Sequence, residues 1–157
     1  MTATAPTAAA PAPTAAAPTF AHMLAPLQIG PLRLPNRVIM SPMGTEMGTE
    51  DGRSTPREAA YYAARAAGGT ALVMTGVNFL QSDHEPTAPG LARADTDEHI
   101  PGLRGIADAV HAAGGLAALQ LTPGLGRNNQ YYDQMGMEPV SSSENPTSST
   151  PSGPVAR

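Results

Sequence analysis

The sequence predicts an α/β protein: a hairpin plus about three βα units, forming the N-terminal portion of a TIM (β/α)8 barrel. Three observations lead there. Short apolar runs without polar alternation recur along the chain, as strands buried on both faces of a parallel sheet require. Amphipathic helical stretches separate those runs. The resulting order (hairpin, β, α, β, α, β) implies parallel strands joined by right-handed crossovers.

Taken in order, Leu27-Gln28-Ile29, the turn signal Gly30-Pro31 and Leu32-Arg33-Leu34 read as a short alternating hairpin. Arg37-Val38-Ile39-Met40 is the first buried strand. A loop over residues 44–53, rich in glycine and charge, leads to a well-punctuated helix. There Thr55 is the cap, Pro56 suits the first helical position, and Glu58 completes a capping box with Thr55. Ala59, Tyr62, Ala63 and Ala66 share one face, and Gly68-Gly69 ends the helix. Ala71-Leu72-Val73-Met74-Thr75 is the second strand. A loop over residues 78–94 precedes a second helix starting near Thr96 or Asp97, with Ile100, Leu103, Ile106, Ala107 and Val110 on one stripe. Gly114-Gly115 ends it, and Ala117-Ala118-Leu119-Gln120-Leu121 is the third strand.

An open nucleotide-binding sheet fits less well. Its GxGxxG belongs directly after the first strand, where this chain has Pro42-Met43-Gly44-Thr45, and Gly124-Leu125-Gly126 lacks the third glycine. A closed barrel takes eight strands and about 250 residues, so three strands in 157 residues read as an incomplete one. The domain expectation is a disordered Ala/Pro/Thr-rich leader over residues 1–19 and an incomplete barrel over residues 20–157. The leader carries no basic residue and no periodic apolar face, which argues against a signal peptide.

Composition narrows the function classes. Cysteine is absent, so disulfides, thiolate metal sites and a cysteine nucleophile are excluded. A net charge of −4 with scattered basic residues argues against a nucleic-acid partner. No apolar run approaches the roughly 20 residues of a membrane span, and a cytoplasmic location is expected. Lysine is absent too, so a Schiff-base aldolase would have to draw that residue from elsewhere.

In such a fold the long loops after parallel strands build the active site, and three strand ends therefore carry the candidate residues. Ser41-Pro42-Met43-Gly44-Thr45 follows the first strand, Thr75-Gly76-Val77-Asn78 the second, and Gln120 lies on the third. Taken singly each has a structural explanation: Pro42 and Met43 as a strand end, Gly76 as a turn, Gln120 as a hydrogen-bonded amide of the barrel interior.

Together with further marks they resemble the Old Yellow Enzyme family of NADH:flavin oxidoreductases, in its 2-enoate, dienoyl-CoA and bile-acid-inducible reductase branch. The marks are Pro26-Leu27-Gln28-Ile29-Gly30, Leu34-Pro35-Asn36-Arg37-Val38, Met40-Ser41-Pro42-Met43-Gly44-Thr45 and Asp51-Gly52-Arg53. Tyr61-Tyr62-Ala63-Ala64-Arg65-Ala66, Thr75-Gly76, His111-Ala112-Ala113-Gly114-Gly115, Leu119-Gln120-Leu121 and Gly126-Arg127 follow in the same order.

The resemblance implies FMN as cofactor, with NADH or NADPH as electron donor in the complete enzyme. It implies hydride transfer to an α,β-unsaturated carbonyl or enoate. The backbone of Pro42, Met43 and Gly44 would lie along the flavin ring, Gly76 would let that backbone approach closely, and Gln120 would pair with the ring's pyrimidine end. Two departures stand out. Many members place Thr or Cys where this chain has Gly44, and many have Trp-His where Thr122-Pro123 follows Gln120-Leu121. The family's substrate-binding histidines, its tyrosine proton donor and its phosphate loops would lie beyond the third strand. The expectation is thus a truncated or split fragment, inactive by itself, with a possible second chain supplying the rest of the barrel. A non-catalytic fragment pairing with a partner through its open sheet edge is the alternative.

Overall fold

The computed structural model of the chain describes residues 19–80 and 89–122. Residues 1–18 of the expected leader, residues 81–88 of the second strand-end loop and Gly126-Arg127 lie outside the described residues.

A single helical turn, α1 (Ala21–Leu24), opens the described chain; the sequence reading had none there. The hairpin follows as β1 (Leu27–Ile29) and β2 (Leu32–Leu34), antiparallel with Leu27 opposite Leu34 and Gly30 at φ 53° in the turn. The first expected strand shortens to β3 (Ile39–Met40) and is not buried: Ile39 is exposed and Met40 half-buried. Helix α2 (Pro56–Ala67) leads to β4 (Leu72–Phe79). A two-residue strand β5 (Ala92–Arg93) and a 3-10 turn over Asp97–His99 precede α3 (Ile100–Ala112), which hands over to β6 (Leu116–Thr122).

Strand β4 is central and parallel to every neighbour. It pairs β3 from Leu72 and β6 along most of its length, while β5 pairs its last two residues. Three boundaries differ from the sequence reading. β4 continues four residues past Thr75, because Asn78 and Phe79 find ladder partners in both Ala92–Arg93 and Leu121–Thr122. The expected loop contains β5 for the same reason. The second helix is α-helical only from Ile100, since Thr96 and His99 close a tighter turn first.

The capping box forms by half. Thr55 Oγ1 accepts from Glu58 N at 3.2 Å and donates to the Met47 carbonyl at 2.7 Å. The Glu58 carboxylate turns away from the helix end and accepts from the Thr45 hydroxyl at 2.7 Å. The two Gly-Gly exits are also unlike each other. In the first, the second glycine (Gly69, φ 98°) takes the left-handed conformation, whereas in the second it is the first, Gly114 at φ 85°. Gly115 is a packing glycine: a Cβ there would stand 2.8 Å from that of Ala66.

The register shifts between Met74 and Val77, so Thr75 and Gly76 together stand opposite Leu119. Such a bulge resets the alternation of side chains. Val73, Thr75 and Asn78 share the face covered by the helices, and all three are buried. Met74, Val77 and Gln120 share the opposite face. The core sits on the helix side, where Tyr62 and Ala66 of α2 meet Ile106 and Val110 of α3 over Val73, with Met40 and Ala117 packed against them. Each of the larger side chains contributes about 1.5–3 kcal/mol of burial. Ile39, Leu119 and Leu121 are exposed large apolar residues of this sheet.

Candidate functional site

The C-terminal ends of β3, β4 and β6 and the loop over residues 41–55 meet at one end of the sheet. Met43 is exposed (57%), Gly44 is exposed, Pro42 is half-buried and Gly76 is buried. A Cβ on Gly76 would fall on the Met43 carbonyl and within 2.8 Å of Gly44 Cα. Three of the five residues singled out in the sequence (Met43, Gly44 and Gly76) are therefore in direct contact, and the small size of Gly76 is what lets the first strand's exit lie against β4. Gly44 is different: a Cβ there would meet only Leu91 Cδ2 at an ordinary 3.6 Å.

Gln120 joins the group through its backbone. Its N–H donates to Thr75 Oγ1 at 3.4 Å and its carbonyl accepts from Asn78 Nδ2 at 3.3 Å. Its side-chain amide hydrogen-bonds no other described residue, and it shares the face of Met74 and Val77.

Beneath this surface lies a buried polar assembly whose roles sequence reasoning did not assign. Asn78 Nδ2 donates to Thr75 Oγ1 and to the Gly76 carbonyl, each at 2.8 Å, tying off the bulge. The Gly76 amide donates to Tyr62 Oη at 2.8 Å. Burial pushes the Tyr62 phenol above its ordinary pKa; the Gly76 amide works against that and the Glu58 charge adds to it. Glu58 is 4% exposed, and its Oε2 has no partner among the described residues. The polar members Thr45, Thr75 and Asn78 belong to the strand-end motifs quoted from the sequence, which is the one signal it offered. Tyr62 was counted there as an apolar helix position.

At the rim, Asp51-Gly52-Arg53 makes a turn with Gly52 at φ 84°, and the Gly52 carbonyl accepts the Arg93 amide at 2.8 Å. Arg53 pairs with Asp51 at 2.7 Å and with Glu98 at 2.5 Å. Arg93 pairs with Asp95, whose carboxyl those hydrogen bonds hold below the usual carboxylate range against the opposing effect of burial. His99, 5% exposed, places Nδ1 3.2 Å from Asp95 Oδ1 and 3.0 Å from Thr96 Oγ1. Asp51, Arg53, Arg93, Thr96, Glu98 and His99 line an open cleft of about 260 Å³.

Residues 22–153 match the NADH:flavin oxidoreductase / NADH oxidase family. The chain belongs to that family. Among relatives in this family, the NADH oxidase of Thermoanaerobacter brockii is 33% identical over 132 residues, 82% of this chain and 20% of that protein. The cinnamate reductase of Clostridium sporogenes is 35% identical over 106 residues, 65% of this chain and 16% of that protein. Morphinone reductase in complex with tetrahydroNAD superimposes with a TM-score of 0.65 at 34% identity, covering 78% of this chain and 33% of that one. An old yellow enzyme homologue from Zymomonas mobilis gives 0.64 at 27% identity, covering 85% and 38%.

The fold is thus part of an Old Yellow Enzyme-type barrel, and FMN and NAD(P)H are the redox groups of the family. The chain spans a fifth or less of the length of the two curated relatives. Among the described residues, no helix is long and apolar enough to cross a membrane.

Proposed function

We propose that this chain supplies the ring-side face of an FMN site in an oxidoreductase that passes hydride to α,β-unsaturated carbonyl or enoate substrates, with NADH or NADPH as donor. The observation that carries this reading is the exposed Met43-Gly44 segment seated on Gly76 at the strand ends. Bound flavin would supply the hydride chemistry, and the protein's part is to place it and hydrogen-bond its ring. Pro42, Met43 and Gly44 present backbone donors and acceptors along one side. The Gln120 amide, unpartnered among the described residues, suits the polar end of a flat heterocycle.

Phosphate capture normally supplies much of the grip on such a cofactor through oriented backbone donors and helix termini, after strands that these described residues do not include. The full chain is therefore expected to take up FMN weakly and to sustain no NADH oxidation unless strands from a continuation or a second chain complete the barrel. The test is a visible-absorption titration of the full chain with FMN. A weak but saturable perturbation, lost in Gln120→Leu, supports the reading; a flavin spectrum unchanged at every protein concentration sinks it.

A second reading is an interaction module. Among the described residues β6 pairs on one side only, with Leu119 and Leu121 exposed beside that edge. Such an edge pairs readily with another chain. Mass measurement in solution separates the readings: a stable self-assembly indifferent to FMN favours this one.

A further inference from the structure

We infer that Thr75 and Asn78 form a side-chain clamp that holds Gln120 by its main chain, making both positioning residues for the Gln120 amide; the flavin role of that amide rests on the reading above. Asn78 Nδ2 donates to Thr75 Oγ1 and to the Gly76 carbonyl, each at 2.8 Å, and to the Gln120 carbonyl at 3.3 Å. Thr75 Oγ1 also accepts the Gln120 amide proton at 3.4 Å and donates to the Gly76 carbonyl at 3.2 Å. Three acceptors meet the two hydrogens of the Asn78 amide, so one hydrogen is shared.

The partners set the orientation of that amide. Carbonyls only accept, so the nitrogen must face Gly76 and Gln120 and the oxygen must face away. Asn78 Oδ1 is accordingly buried with no partner among the described residues, and the side chain keeps this orientation against that cost. Thr75 and Asn78 are 5% and 1% exposed, on the face covered by the helices, whereas Gln120 is exposed and shares the face of Met74 and Val77. Three residues apart, Thr75 and Asn78 share a face only because the ladder slips between Met74 and Val77. Gripping the N–H and the C=O of Gln120 fixes the two planar peptides that flank its Cα, and with them the direction in which its side chain leaves the strand. The clamp thus acts from one side of the sheet on an amide presented at the other.

Amide hydrogen exchange on the full chain, with no flavin added, tests the clamp. Thr75→Val keeps the shape and removes the hydroxyl, Thr75→Ser keeps the hydroxyl, and Asn78→Leu removes the amide. Thr75→Val and Asn78→Leu are expected to speed exchange at Gln120 about tenfold relative to Ile106 and Val110 of the core, while Thr75→Ser restores the wild-type ratio. The Thr75 pair decides the matter by itself if Asn78→Leu does not fold. Exchange at Gln120 that follows Ile106 and Val110 in step through every variant would overturn the clamp, because only global stability had then changed. An FMN titration of the same proteins separates this claim from the functional one. A flavin perturbation weakened in Thr75→Val and recovered in Thr75→Ser supports both. A wild-type chain that ignores FMN while Gln120 exchange still responds keeps the clamp and removes its flavin role. A perturbation lost in Gln120→Leu but identical in Thr75→Val and wild type overturns the positioning role.

Discussion

The phenol oxygen of Tyr62, on α2, accepts the amide proton of Gly76 from the one place where the ladder between β4 and β6 slips register. A bulge leaves an amide without a strand partner, and here a helix side chain provides one. Tyr62→Phe keeps the ring and removes the oxygen, so a buried N–H is stranded. Destabilisation of about 1–3 kcal/mol is expected in urea unfolding. The alkaline limb carries a second signature. Because the folded phenol titrates above the unfolded one, its contribution is complete below about pH 10 and is lost as pH rises through the folded value. Tyr62→Phe should flatten that limb; an unchanged slope would place the alkaline loss elsewhere.

Gly76 and Gly44 should answer alanine in opposite ways. Gly76→Ala drives a methyl into the Met43 carbonyl and is expected to cost about 1–3 kcal/mol or to push the loop outward. Gly44→Ala meets only ordinary contact with Leu91 and should stay within about 0.5 kcal/mol of wild type. Equal midpoints for the two variants in denaturant would show that the close approach does not exist in solution.

Thr55 bonds in two directions, accepting from Glu58 N and donating to the Met47 carbonyl. Thr55→Ala should lower stability by about 0.5–2 kcal/mol, and Thr55→Ser should recover most of it. Circular dichroism during thermal unfolding is sufficient to rank the three proteins.

Asp95 governs the acid side. Its carboxyl is depressed chiefly by the hydrogen bonds from Arg93, so its contribution is full above the unfolded pKa of about 4 and is lost as pH falls through the lower folded value. Asp95→Asn should be less stable at neutral pH and show a shallower decline below about pH 4. The pH dependence of the urea midpoint reads this directly, and parallel curves for the two proteins would refute the assignment.

Much of the fold was legible because its punctuation is local. Thr55-Pro56, Gly30 and the two glycine pairs announce element ends by backbone conformation alone, and the apolar stripe of α3 found Ile106 and Val110. The bulge was not legible. Thr75-Gly76 reads as the end of a strand, and only ladder partners from Ala92–Arg93 and Leu121–Thr122 carry β4 on to Phe79. Glu58 misled for a related reason: two donors, the Thr45 hydroxyl and the Thr55 backbone amide, compete for its carboxylate in space, but only Thr55 is near in sequence. Of the candidate site, the contact of Met43 and Gly44 with Gly76 lies on residues the sequence had already singled out, whereas the hydrogen bonds beneath them, from Thr45 to Glu58 and from Gly76 to Tyr62, join positions that no periodicity connects.

The slip at Thr75-Gly76 also constrains how this stretch can change in length. Removing one residue between Met74 and Val77 would give β4 and β6 an unbroken ladder and a locally more regular sheet. It would also leave the Gly76 amide's bond to Tyr62, and the seat beneath Met43, without their owner. A single-codon deletion there would be a gain for pairing and a loss for the strand-end surface, so the irregular length is the one compatible with both.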